Sequence, residues 1–297
     1  MKGFRVGVLA GGSSSEREIS LRSGRAVCNA LLSEGVDAIF LDVADNIHDI
    51  INTYELSAAF IALHGKFGED GTVQRILASA GIPYTGSGPE ASRLALDKIA
   101  SKEIFTGLGI DTPAYSVAKK GIRFCCENFP VVVKPQFEGS SIGLSVVRGP
   151  ELLDKALDSA FEFGDKVLIE EYIHGRELTV GVLDGKSLPV VEIVPKDRVY
   201  DYKAKYSDPD TQYLVPAPIS SSEDSRARSL GLRAHNALGC RGFSRTDMIL
   251  DAEGRIFVLE VNTIPGMTER SLLPKAANAA GIDFSKLCLK LVEGASI

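Results

Sequence analysis

The sequence predicts an α/β protein: an N-terminal Rossmann-like domain with a parallel sheet, followed by a region built on hairpins and helices. Three observations predict it. Strand, glycine-rich loop and helix alternate from Phe4 to Gly86, the pattern of a parallel sheet covered on both faces. The texture changes near residue 96, where a charged amphipathic helix begins. Two later stretches, Phe129 to Val146 and Arg245 to Asn262, each read as two strands joined by a polar, glycine-containing turn.

At 297 residues the chain has the length of about two domains, with three small ones possible. Hydrophobic content of 44% and charged content of 24% are ordinary for a globular protein with a sizeable core. A net charge of −6 argues against a general nucleic-acid binder or a partner of anionic membranes. Any phosphate site must be a local concentration of lysines and backbone amides. Five cysteines, odd in number and without C-x-x-C spacing, favour reduced thiols and a cytoplasmic protein. No apolar run approaches the roughly 20 residues of a membrane span, and Val6 to Ala10 is too short for a signal peptide.

The elements follow in order. Phe4 to Ala10 is a buried strand, and Gly11-Gly12-Ser13-Ser14-Ser15 leads to a helix with Ile19, Leu21, Ala26, Val27, Ala30 and Leu31 as its apolar stripe. A serine is expected as the N-cap, with Glu16 and Glu18 complementing the helix dipole. Glu16 also falls at the carboxyl edge of the sheet, where ligands bind. Val36 to Val43 and Ala58 to Leu63 are further strands. The second runs into His64-Gly65-Lys66-Phe67-Gly68-Glu69-Asp70-Gly71, a loop shaped for close backbone approach or simply a polar turn capped by Asp70 before a helix near Thr72. Gly81 to Gly86 reads as another short strand.

Asp97 opens a helix that ends at Gly107-Leu108-Gly109, with Lys98 either a surface charge or a ligand of something anionic. Lys134 ends the apolar strand before Pro135 and requires a partner, because an unpaired buried ammonium is costly. Gly139-Ser140-Ser141-Ile142-Gly143, between two strands, is rich in backbone donors and able to fold over phosphate oxygens, or else is a plain hairpin turn. A helix follows from about Glu151, then the strand Val167 to Ile173, in which Glu170 and Glu171 face opposite ways. Four of the eight tyrosines fall between Tyr200 and Tyr213 with no regular period, which suggests an ordered loop closing over a site, Lys205 and Tyr206 its candidate contacts. Glu223 to Leu238 is an amphipathic helix.

Arg245 to Asp251 and Phe257 to Asn262 then pair around the turn Asp251-Ala252-Glu253-Gly254. This register brings Asp247 alongside Glu260 and Asn262, two carboxylates and an amide suited to a hard cation. A salt-bridged rim, with Arg245 neutralising the acids, is the alternative.

The stretches GGSSSEREISLRSG, ALHGKFGEDG, PYTGSG, VVVKP with EGSSIG, YDYKAKY, RTDMILD and LEVNTIPGMT, in this order, resemble the D-alanine–D-alanine ligases, enzymes of the ATP-grasp superfamily. The resemblance implies an N-terminal domain over 1–96 and two ATP-grasp subdomains over 97–175 and 176–297. It implies ATP, D-alanine and two Mg²⁺ ions, with Mn²⁺ able to substitute, in a cytoplasmic homodimer that makes a peptidoglycan precursor. Lys98 and Lys134 match the lysines on the α- and β-phosphates. Glu170, with Glu171 to Ile173, matches the adenine edge, and Glu177 the ribose acid. Asp247, Glu260 and Asn262 match the metal ligands.

By the same resemblance, Glu16 anchors the ammonium of the first D-alanine, hydrogen-bonded with Ser140 and Tyr206, and His64 lies near that substrate. Arg245 and the Gly266 amide match an oxyanion site, Ser271 and Leu272 the second carboxylate's subsite, and Lys205 with the Ser141 amide the γ-phosphate. Ile264 and Glu171 depart from the pattern, where a small polar residue and a lysine are common. A depsipeptide-forming relative differs in the Tyr-x-Ala-Lys-Tyr stretch, so Tyr206 favours an amine as acceptor. A non-catalytic ATP binder is expected to have lost Arg245, a metal ligand or Lys134, and all are present.

Overall fold

The computed structural model describes residues 4–44, 46–195 and 211–297. Among these residues three sheets form in sequence order. In the first, β1 (Arg5–Gly11) lies between β2 (Asp37–Val43) and β3 (Ala58–Ile61), all parallel. Each strand is apolar on both sides because both faces are covered. Val6, Val8 and Phe60 pack with Val27 and Leu31 of helix α1 (Arg17–Ser33), while Leu9, Leu41 and Ile61 pack on the other face with Val73 and Leu77.

The stripe of α1 differs in part from the expected one. Leu21 and Ala26 are half-buried, and Ser20, Ser23 and Gly24 take the buried places. Ser20 is fixed there by donating to the Ala62 carbonyl at 2.6 Å and accepting from the Gly11 amide at 2.8 Å, which ties the helix to two strands. No serine caps the helix either: Glu16 occupies the N-cap and its side chain makes no capping bond. Instead the Ser14 hydroxyl accepts from the Glu16 amide and donates to the His64 carbonyl, holding the two loops together.

Beyond α2 (Ile47–Thr53) and α3 (Thr72–Ser79), the expected strand at 81–86 reduces to single bridges from Tyr84 to Ala59 and Ser296. The left-handed Gly86, φ 86°, turns the chain away at once. Helix α4 (Pro89–Leu96) follows, with proline in its first turn. It leads into α5 (Lys98–Gly107), whose N-cap Asp97 accepts from the amides of Ile99 and Ala100, both at 3.1 Å.

The second sheet has the order β4 (Tyr115–Lys119), β7 (Lys166–Glu171), β5 (Val131–Pro135), β6 (Ser145–Val147), every pairing antiparallel. Its core joins Val131, Val133, Val167 and Ile169 to Leu153 and Leu157 of α6 (Leu153–Ala160), which starts after a short 3-10 turn at Pro150–Leu152. The third sheet runs β11 (Gln212–Leu214), β10 (Val191–Val194), β8 (Gly175–Leu183), β12 (Phe243–Asp251), β13 (Ile256–Asn262), with β9 (Lys186–Ser187) beside β8.

Helix α7 (Ser221–Ala237) covers this third sheet and starts with a reciprocal Ser220–Glu223 capping box. The helices α8 (Leu272–Ala279) and α9 (Phe284–Glu293) return to the first sheet, where Leu273, Leu287 and Val292 share its core. Among the described residues no helix is long and apolar enough to cross a membrane. All five cysteines are free.

Candidate active site

The β12–β13 hairpin carries the centre of the site. Asp247 stands opposite Glu260 and Arg245 opposite Asn262, as the sequence register required. The register shifts between Asp247 and Met248, which pairs with Val258, so Leu259 is an extra residue on β13. The bulge lets Ile256 and Val258 stay buried on one phase and Val261 on the other, and it turns Glu260 and Asn262 toward the cleft. Arg245 grips Asp247 through two parallel bonds, Nε to Oδ1 at 2.8 Å and Nη2 to Oδ2 at 2.7 Å, while the Thr179 hydroxyl donates to Oδ1 at 2.7 Å. Thus the ion pair expected of a rim is present, inside the cleft. Glu260 lies 3.8 Å from Lys98, and the Asn262 amide oxygen accepts from the Ile264 amide at 2.9 Å.

Lys98 and Lys134 converge from different elements. Lys98 begins α5 and is buried, against the surface reading; its ammonium donates to the Glu138 carbonyl in the β5–β6 loop. Lys134, at the end of β5, has the partner its position demanded: its ammonium meets one oxygen of Glu170 on β7. Lys102, one turn after Lys98, meets the other oxygen. Burial works against the charge of Lys134, but Glu170 outweighs it and lifts the ammonium above the usual lysine range. For Lys102 burial prevails, and its ammonium is held below that range despite Glu170. Glu170 itself, penalised by burial, is kept ionised below the usual carboxylate range by the two lysines.

Lys98, Lys134 and Glu170 line a cavity that also takes in Ser141, Glu171, Tyr172, Ile173 and Glu177. Strand β7 ends at Glu171, so Tyr172 and Ile173 form a connector leading to Glu177 on β8. Glu171 is exposed and Glu170 buried, on opposite faces as alternation requires. The Glu170 carboxylate is taken up by lysines, so what β7 offers at this edge is the connector's backbone. The roof is the β5–β6 loop. Ser140 and Ser141 both sit in the left-handed region, φ 50° and 60°, in a tight turn closed by Ile142 N to Gly139 O at 3.0 Å.

A second cavity, of about 570 Å³ and so within the range of small-ligand sites, brings Glu16 and His64, from loops that follow β1 and β3, to Arg245, Asn262, Gly266, Ser271 and Leu272. Lys98, Gly139, Ser140 and Glu260 line both cavities, which therefore meet. Glu16 is buried and accepts from the Ser140 hydroxyl. Glycines leave it room: a Cβ on Gly65 or Gly139 would stand 3.2 or 3.1 Å from Glu16 Oε2 and crowd it. His64 Nε2 lies 3.4 Å from the Ser23 hydroxyl, and burial holds the imidazole below its ordinary pKa, so it is neutral. Ser271 is the N-cap of α8, its hydroxyl accepting from the Thr268 amide at 3.1 Å.

All the site residues expected from the sequence that lie among the described residues line one cavity or the other; Lys205 and Tyr206 lie outside the described residues. Sequence reasoning missed several neighbours. Glu69 borders the second cavity, where burial and then the nearby Glu16 push its carboxyl up to about 8, which favours its neutral form. Arg22, Arg270 and Lys275 place positive charge on that cavity's wall.

Among the described residues no three His, Cys, Asp or Glu side chains gather as a metal centre. Asp247, Glu260 and Asn262 nonetheless fit a hard cation by donor chemistry, since all three offer oxygen.

Comparison with known proteins gives one consistent answer. A family model described as D-ala D-ala ligase C-terminus matches residues 117–293, and one described as D-ala D-ala ligase N-terminus matches residues 44–87. The D-alanine–D-alanine ligase of Citrifermentans bemidjiense is 47% identical over 100% of this chain and 98% of that protein. That of Syntrophotalea carbinolica is 46% identical over 99% and 96%. The crystal structure of the Bacillus anthracis D-alanine–D-alanine ligase complexed with ATP superimposes with a TM-score of 0.87 at 35% identity, covering 98% of this chain and 97% of that one.

Proposed function

We propose a residue-level mechanism from the premise that this chain belongs to the D-alanine–D-alanine ligase family. Its reaction is the ATP-dependent joining of two D-alanines into D-alanyl-D-alanine, a peptidoglycan precursor, with release of ADP and phosphate. The observation that carries the mechanism is the meeting of the two cavities at Lys98, Gly139, Ser140 and Glu260, which sets an acid- and arginine-lined pocket against a lysine-lined one.

ATP lies in the first cavity. Its adenine faces the Glu171-to-Ile173 connector, its ribose Glu177, and its α- and β-phosphates Lys98 and Lys134, with Glu170 acting through Lys134. The Ser141 amide faces the γ-phosphate, a role the family resemblance also gives to Lys205. Asp247, Glu260 and Asn262 are the residues that would hold two Mg²⁺ ions, or Mn²⁺, which when bound neutralise charge on the transferring phosphoryl group. Glu16, held by Ser140, pairs with the ammonium of the first D-alanine, where the family resemblance also assigns Tyr206, and His64 packs beside it. That alignment points the D-alanine carboxylate at the γ-phosphate.

A carboxylate is a poor electrophile, so one of its oxygens attacks the γ-phosphorus, the bond to the β–γ bridging oxygen breaks, and an acyl phosphate and ADP form. The second D-alanine, its carboxylate at Ser271 and Leu272, attacks the acyl carbon through its amine. The tetrahedral oxyanion is met by Arg245 and the Gly266 amide, and it collapses to the dipeptide and phosphate. Closure of the β5–β6 loop excludes water, which would otherwise hydrolyse the acyl phosphate. Three sheets, one after another in the chain, support three domains with breaks near residues 96 and 175. The free cysteines support a cytoplasmic location, and the family resemblance supports a homodimer.

Glu16 separates substrate anchoring from helix capping. Glu16→Gln is expected to weaken the first D-alanine by about 1.5–3 kcal/mol, roughly tenfold to a hundredfold, through loss of a charge-assisted contact. The KM for ATP is expected to stay near wild type. Paired titrations in D-alanine and ATP check this; an unchanged first-subsite constant, or equal losses for both substrates, returns Glu16 to a helix-start acid worth only fractions of a kcal/mol.

A further inference from the structure

We propose that Lys102 is a positioning residue of the nucleotide site: it keeps Glu170 charge-paired so that Lys134 is able to transfer its ammonium from Glu170 to a nucleotide phosphate. The proposal rests on the placement of Lys134 at the phosphates. Lys102 is 0% exposed and lines neither cavity. Its ammonium meets Glu170 Oε1 and donates to the Thr112 hydroxyl at 2.5 Å, which donates in turn to the Val258 carbonyl at 2.7 Å. Lys134, on the other Glu170 oxygen, lines the nucleotide cavity.

Two lysines on one buried carboxylate exceed what neutralisation requires. With Lys134 as sole partner, each nucleotide bound would leave Glu170 buried and unpaired, a costly state. Lys102 removes that obstacle, because it holds Glu170 whether or not Lys134 is engaged elsewhere. Among the described residues the charged groups that face Glu170 are Lys102 from α5 and Lys134 from β5. Tyr115 on β4, its neighbour in register, turns its ring to Lys102 at 5.6 Å, and Glu260 on β13 and Glu177 on β8 act on the lysines.

The test is calorimetric titration of the full-length protein with a non-hydrolysable ATP analogue and Mg²⁺, at about pH 8 and about pH 6, in buffers of different ionisation enthalpy. Lys102→Met is expected to weaken binding roughly tenfold or more at the higher pH. The loss is expected to shrink at the lower pH, and proton uptake on binding to exceed wild type by about one, as Glu170 takes a proton when Lys134 leaves it. Adding Glu170→Gln to Lys102→Met is expected to abolish the extra uptake and recover most of the affinity, which filling a packing defect would not do. Lys102→Gln carries the same test if Lys102→Met does not fold. Unchanged affinity, or an equal loss at both pH values with wild-type proton uptake, overturns the proposal and leaves Lys102 a structural cation. A wild-type protein that binds no analogue overturns the Lys134 placement, and the role of Lys102 with it.

Discussion

Glu260→Gln is expected to leave a folded protein whose D-alanine-dependent ATP turnover is lower by roughly a hundredfold or more. Glutamine preserves the shape and hydrogen-bonding reach of the side chain and removes one charge where the two cavities meet. Folding has little at stake. Lys98, an ion partner of Glu260, is 3.8 Å away and keeps its bond to the Glu138 carbonyl, and the Glu260 side chain is 28% exposed. The loss therefore falls on charge facing the phosphates. Phosphate release at saturating Mg²⁺, beside a melting curve, checks it. Near-normal turnover would remove Glu260 from the metal set and leave it the rim acid of the simpler reading.

Arg245→Gln is expected to lower kcat by about a hundred- to a thousandfold, the usual cost of removing one donor from an oxyanion site, with KM for ATP nearly unchanged. The bidentate grip on Asp247 makes Arg245 a rigid, planar donor rather than a mobile charge. Asp247 keeps the Thr179 hydroxyl when the guanidinium is gone, so the hairpin retains a hydrogen bond at that point. Arg245→Lys is expected to recover only a small part of kcat, because an ammonium lacks the fork geometry. A raised KM for ATP with unchanged kcat would place Arg245 in nucleotide binding instead.

How far the sequence carried these assignments depends on the range over which each residue acts. Asp247, Glu260 and Asn262 were legible because alternation and a short turn fix a hairpin's register locally. The bulge at Leu259 left a fainter trace, the change of buried phase between Val258 and Val261, which a plain two-residue period does not register. Lys134 was legible as an ammonium needing a partner, but the partner itself was not, since Glu170 arrives from another strand. Lys102 was invisible. One turn after Lys98 on a charged helix it reads as a solvated lysine, and only the packing of α5 against β7 buries it on Glu170.

Glu69 was passed over for a similar reason. Within its loop it is one acid of two, and its proton is held by burial and by Glu16, which comes from the first βα turn. At the start of α1 the sequence misled: three serines before a helix are ordinary caps, yet here Ser14 serves the His64 loop and Glu16 is left for the cleft.

The most direct test of the ligase assignment is phosphate release coupled to product analysis, with ATP and Mg²⁺ and with D-alanine, L-alanine or D-lactate added in turn. Phosphate is expected to appear with D-alanine in step with D-alanyl-D-alanine. L-alanine is expected to give neither, and D-lactate added beside D-alanine is expected to give no ester. Phosphate release that ignores D-alanine, or that yields no dipeptide, would contradict it.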